Sequence, residues 1–147
     1  MNLSERLNDD MKQAMKSQDK FKLSVIRMVR SSVKNQEIDL KRALDDNEVL
    51  DILSREVKQR KDSLQEFEKA GRDDLVSDLA AEIEIISAYL PQQLNEEEIK
   101  VIVQQTIQET GASSKAEMGK VMAALMPKVK GRADGKLVNT IVQQFLQ

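Results

Sequence analysis

From Leu7 to Leu146 the apolar residues recur mostly at every third or fourth position, and no stretch of alternation reads as a strand, residues 81–85 falling within a longer helical stripe. That spacing puts side chains on one face of an α-helix, whereas a half-buried strand needs a period of two. The chain is thereby restricted to an all-α fold. Aromatic residues make up only 3% of it, so Leu, Ile, Val, Met and Ala must fill the interior, which suits helix packed on helix. Five glycines and two prolines leave few turns, so the elements should be few and long.

Local punctuation predicts seven helices. Asn2 and Glu5 form a capping box for the first, which ends near Ser17. Asp19 caps a second that runs to about Leu40. In it Val25, Ile26, Val29, Val33 and Leu40 fall within an arc of roughly 100°. Asp45-Asp46-Asn47 is turn and cap chemistry. The third helix carries Val49, Leu53, Val57, Leu64 and Phe67 on one face and stops at Gly71, a natural left-handed terminator. Asp73 or Asp74 caps the fourth, which Pro91 ends. Beyond a short hinge, Pro91-Gln92-Gln93-Leu94, Asn95 and Glu98 box a fifth helix that closes at Gly111. Ser114 and Glu117 box the sixth, stopped by Pro127, and Asp134 caps the seventh. This predicts a hairpin-rich N-terminal region of four helices over residues 1–92, followed by a small three-helix C-terminal domain over 95–147.

Reaction chemistry has little to work with. The chain has no cysteine and no histidine, so thiol nucleophiles, disulfides and the commonest general base and metal ligand are all missing. Glu96-Glu97-Glu98 cannot converge on one metal from a single turn, and Glu82 and Glu84 diverge by about 200°. The sequence thus offers no catalytic residue, no metal site and no cofactor motif. Met1 to Lys20 is charged throughout and lacks the apolar core of a signal peptide, and no apolar run is long enough to span a membrane. A cytoplasmic protein without membrane contact is the expectation.

Charge is unevenly distributed. Residues 111–147 carry Lys115, Lys120, Lys128, Lys130, Arg132 and Lys136 against Glu117 and Asp134, a local +4 in a chain of net −2. Such a cluster can neutralise phosphates and release their counterions. Lys120, Lys128, Lys130, Arg132 and Lys136 are the candidate nucleic-acid contacts, with Gly131 and Gly135 shaping the loop that presents them. Asp134, as N-cap, would occupy the helix amides, so contacts should come from side chains. The plainer reading is a solvated connection between two helices.

Three further features admit two readings each. Lys20, Arg27, Arg30, Lys34 and Lys41 lie within about 80° on the second helix, as a cationic ridge for an RNA or as an ordinary wet face. Arg60 falls inside the apolar arc of the third helix, to be paired with an acid of a neighbouring helix or to snorkel at the core's edge. Met118, Met122 and Met126 repeat every fourth residue, as core or as an adaptable docking face for a protein partner. No aromatic interleaves with the C-terminal cations, so any RNA contact there should be to backbone and shape rather than by stacking.

At these residues the chain resembles the YqeY family. The resemblance runs through Leu7-Asn8-Asp9-Asp10-Met11-Lys12, Val25-Ile26-Arg27-Met28-Val29, Arg55 through Glu66 and Tyr89-Leu90-Pro91. It is most specific over Met118-Gly119-Lys120-Val121-Met122 and Met126 through Asn139. That last part is also similar to the tail domain of the B subunit of the glutamyl/aspartyl-tRNA amidotransferase. The resemblance implies an all-helical, two-part protein associated with tRNA or with aminoacyl-tRNA enzymes. A carbon–nitrogen ligase activity with glutamine as donor would be inherited from that relative alone, since its catalytic core has no counterpart here. The readings left open are a non-catalytic tRNA-binding protein, a protein-interaction adaptor, and an accessory component of tRNA amidation.

Overall fold

The computed structural model describes residues 1–146. These form α1 (Leu3–Lys16), α2 (Lys20–Leu40), α3 (Asp46–Lys69), α4 (Asp73–Ser87), α5 (Glu96–Thr110), a 3₁₀ turn (Lys115–Glu117), α6 (Met118–Val129) and α7 (Gly135–Phe145), with no strand among the described residues. They divide into two compact units, Met1–Leu90 and Pro91–Gln147.

Local chemistry sets the helix starts. Asn2 with Glu5, Asp45 with Glu48, and Asn95 with Glu98 all make reciprocal capping boxes. Asp19 caps α2 through the Lys22 amide. Gly71 and Gly111 take the left-handed backbone that ends α3 and α5, with φ of 71° and 69°.

Three boundaries differ from the sequence reading. Arg72, not an aspartate, precedes α4 and makes no side-chain cap, while Asp73 and Asp74 lie inside the first turn where the helix dipole favours them. The stretch before α6 opens as a 3₁₀ turn, with Ser114 making no cap and Glu117 instead accepting from the Ser113 amide at 3.4 Å. Pro127 does not stop α6, which runs on to Val129. A proline in the last turn forfeits a single backbone bond. Burial of Val129 and the Lys130 amide bond to the Met126 carbonyl at 2.9 Å hold that turn in place.

In the first unit α1 packs on α2 and α3 on α4, and α2 touches both α3 and α4. Leu7, Val25, Ile26, Val29, Leu53 and Ile86 are the centre of its core. Two polar devices lock it. The Tyr89 hydroxyl donates to the Asp10 carboxylate, and the Arg6 guanidinium lies 4.6 Å from the centroid of the Tyr89 ring. Burial, and then the Asp10 bond, raise the Tyr89 phenol well above its ordinary range. The buried Arg60 settles into an ion pair with Glu56 at 2.6 Å and lies 3.8 Å from Glu82 of α4.

Arg42 grips Glu48 with two bonds of 2.7 and 2.8 Å, and Glu48 also accepts from the Asp45 amide. The Arg42 bond, first, and the Asp45 amide bond hold the Glu48 carboxyl down to about 2. A depressed carboxyl stabilises the fold above its unfolded value, about 4.3, and that contribution fades as pH falls toward 2. Arg42→Ala should move the Glu48 titration, followed by carbon-detected NMR, back toward the ordinary carboxylate range. An unmoved midpoint would refute the assignment.

In the second unit α5, α6 and α7 pack about Ile99, Val103, Val121, Leu125, Ile141 and Val142.

Candidate nucleic-acid interface

The connection from α6 to α7 is a built loop rather than a slack one. Val129 is buried and Ala133 packs against the same core, so both ends are anchored. Between them Gly131 takes a φ of 74°, and the Arg132 amide donates to the Val129 carbonyl at 2.9 Å. The left-handed backbone costs an ordinary residue about 1–2 kcal/mol, which explains a glycine there.

The segment before α5 holds this loop from the side. The Leu94 amide donates to the Arg132 carbonyl at 2.8 Å, and the Gln93 Nε2 donates to the Gly131 carbonyl at 2.8 Å. Arg132 Nε returns a bond to the Gln92 carbonyl at 3.2 Å. The stretch read from sequence as a hinge is thus the brace of the basic loop. Nothing local in Gln92-Gln93 advertises this, because the partners lie some forty residues away.

The five candidate cations fall into three groups. Lys130 and Lys136 are exposed and Arg132 half-buried, all at the end of the unit where α6 gives way to α7. Lys128 rides on the helix because Pro127 does not end it. Its Nζ turns to α5, 2.7 Å from Glu109 Oε2 and 3.0 Å from Thr106 Oγ1. Glu109 and the buried Thr106 sit three residues apart on one face of α5, a spacing that could have pointed to them. Lys120 is exposed in the first turn of α6, about 12 Å along the axis from Lys128.

Asp134 accepts from the Lys136 amide at 3.3 Å and so occupies the start of α7. Gly135 is the first residue of that helix, with nothing within 4 Å of where a Cβ would stand. Of the methionines, Met118 and Met122 are half-buried against the second core and Met126 is 40% exposed.

The profile of the family described as "Yqey-like protein" matches residues 4–146. Curated relatives share one name, "Altered inheritance of mitochondria protein 41, mitochondrial". The protein of Pyrenophora tritici-repentis is 29% identical over 144 residues, covering 96% of this chain and 79% of its own length. Those of Lachancea thermotolerans and Saccharomyces cerevisiae are 44% and 41% identical over 87 residues, 58% of this chain and 46% and 47% of theirs. For these two yeast proteins the match spans about half of the relative.

These names overturn the expectation of a cytoplasmic protein, since the relatives are mitochondrial by name. Composition misleads on this point because a helical core of Leu, Ile and Val packs identically in either compartment.

Proposed function

The chain belongs to the YqeY family, and on that premise we propose that it is a non-catalytic helical protein whose second unit binds the phosphate backbone of tRNA. The observation that carries this reading is the braced loop that presents Lys130 and Arg132 next to Lys136 at one end of the unit. Holding the backbone in advance reduces the ordering cost of binding. Three cations on a fixed frame suit phosphates, which position a nucleic acid without reading its bases. The resemblance of this segment to an amidotransferase tail domain supports the same ligand.

Lys128 contributes less in this reading, because Glu109 neutralises it, and Lys120 marks a separate contact at the far end of α6. In a titration with bulk tRNA, and with organellar tRNA because the relatives are named as mitochondrial, affinity should fall steeply as salt rises. K130E/R132E/K136E should lower the slope of log affinity against log salt by about two to three, at roughly 0.7–0.9 per phosphate contact. A salt-insensitive titration, or a triple variant with the wild-type slope, would remove the basis for the proposal.

A further inference from the structure

The first unit carries a second basic surface, distinct from the loop above. Between residues 12 and 27 the chain has five cations and one acid, Asp19, whose carboxylate is occupied in capping α2. Lys16 projects roughly 180° and Lys12 roughly 140° from the buried Leu7, while Lys20 and Arg27 project roughly 180° and 160° from the buried Val29. All four are exposed, and none makes an ion pair among the described residues.

The structure divides the cationic stripe of α2. Arg30 turns toward α1 and donates to the Met11 sulfur, and Lys34 pairs with Glu37 at 3.7 Å. Both line a cleft of about 230 Å³ whose wall also includes Glu5 and Glu37, so signs balance at that end of the hairpin. Toward the α1–α2 turn cations outnumber acids, with Lys12, Lys16, Lys20 and Arg27 set against the exposed Asp9 and Asp19. What remains is an outward crest on which α1 adds Lys12 and Lys16 to the Lys20 and Arg27 of α2.

We propose that this crest of the α1–α2 hairpin is a binding site for the phosphodiester backbone of a folded RNA. Counterion release favours a line of exposed, unpaired cations meeting regularly spaced phosphates. An acidic protein partner would want a cluster of apolar or aromatic anchors among the charges, and within the crest only Met15, 50% exposed, could serve as one. A lipid surface would want an apolar face turned outward. Here the buried apolar stripes of both helices turn into the core, and the exposed Met15, Phe21 and Met28 are scattered singly, Phe21 roughly 80° and Met28 roughly 100° from Val29, rather than forming one continuous outward face.

The test uses the full chain, bulk tRNA read by fluorescence anisotropy across salt, and anionic phosphatidylserine vesicles read by co-sedimentation. K12E/K16E/K20E/R27E should lower the salt slope by about three, at roughly 0.7–0.9 per contact. Its thermal melt should stay near that of the wild type because every changed side chain is exposed. Should the reversal unfold the chain, K12Q/K16Q/K20Q/R27Q takes its place with the same expected direction. A reduced slope in the quadruple variant supports the crest whatever the C-terminal triple variant does. An unchanged slope overturns it, and the loop reading survives if the triple variant alone loses slope. Wild-type protein that binds no tRNA overturns both. Vesicle binding that the quadruple variant loses, with its tRNA slope intact, overturns the choice of RNA.

Discussion

Arg60→Ala is expected to destabilise the first unit by about 3 kcal/mol or more, the range found when one partner of a buried ion pair is removed. Arg60 is 8% exposed. Its Nη1 donates to Glu56 Oε2 at 2.6 Å and to the Glu56 carbonyl at 3.2 Å, and its Nε lies 3.8 Å from Glu82 Oε1. Ser32 of α2 completes the group by donating to Glu56 Oε1 at 3.0 Å. With the guanidinium gone, two largely buried carboxylates face one another without a counterion. At about 4–8 °C per kcal/mol for a domain of this size, the melting midpoint should drop by some 12 °C or more. Arg60→Lys should recover only part of the loss, because a single ammonium cannot reproduce a planar fork that reaches two acids. Replacing Arg60, Glu56 and Glu82 together with apolar residues should cost far less than Arg60→Ala alone, since well-packed substitutes for a buried ion network are often neutral. A melt shifted by no more than a couple of degrees in Arg60→Ala would show that the group does not bear on stability.

Leu125→Ala should be equally damaging in the second unit. Leu125 is fully buried at the centre of the three-helix core, among Val103, Val121, Val138 and Ile141. Leucine-to-alanine truncations at such sites cost about 2.7–5 kcal/mol, part transfer and part cavity. A core drawn from fewer than about 60 residues has little reserve. Amide hydrogens of α5, α6 and α7 should therefore lose most of their exchange protection, and the basic loop its frame. Leu125→Met keeps the volume and should cost under about 1.5 kcal/mol. Protection retained in Leu125→Ala would mean that the site collapses without a cavity and that the core is looser than its burial suggests.

Legibility from sequence tracks the range of the interaction. Capping boxes at Asn2 and Asn95 join residues three apart and are read directly from the chain, as is the cap chemistry at Asp45, whose box with Glu48 the structure completes. Gly71 and Gly111 end helices by their own backbone freedom. The apolar stripes name most of both cores, because periodicity alone decides which side chains can share a face. Where they fail, it is at ends: Leu40 lies in the stripe of α2 yet is 42% exposed, since the last turn runs beyond its neighbours.

The candidate sites are a different matter. Lys128, Arg132 and Arg60 are each conspicuous in the sequence, but what each does depends on a partner elsewhere: Glu109, the Gln92 carbonyl, Glu82. The two crest pairs, Lys12 with Lys16 and Lys20 with Arg27, become one surface only when α1 folds back on α2. By itself, then, the chain determines an all-helical protein, where most of its helices start, and which faces turn inward, because those follow from contacts within a turn or two. Only the tertiary structure decides which cations are neutralised, which are braced and which stand in a row, because a charge is paired through space by whatever the packing of distant helices brings within a few ångströms.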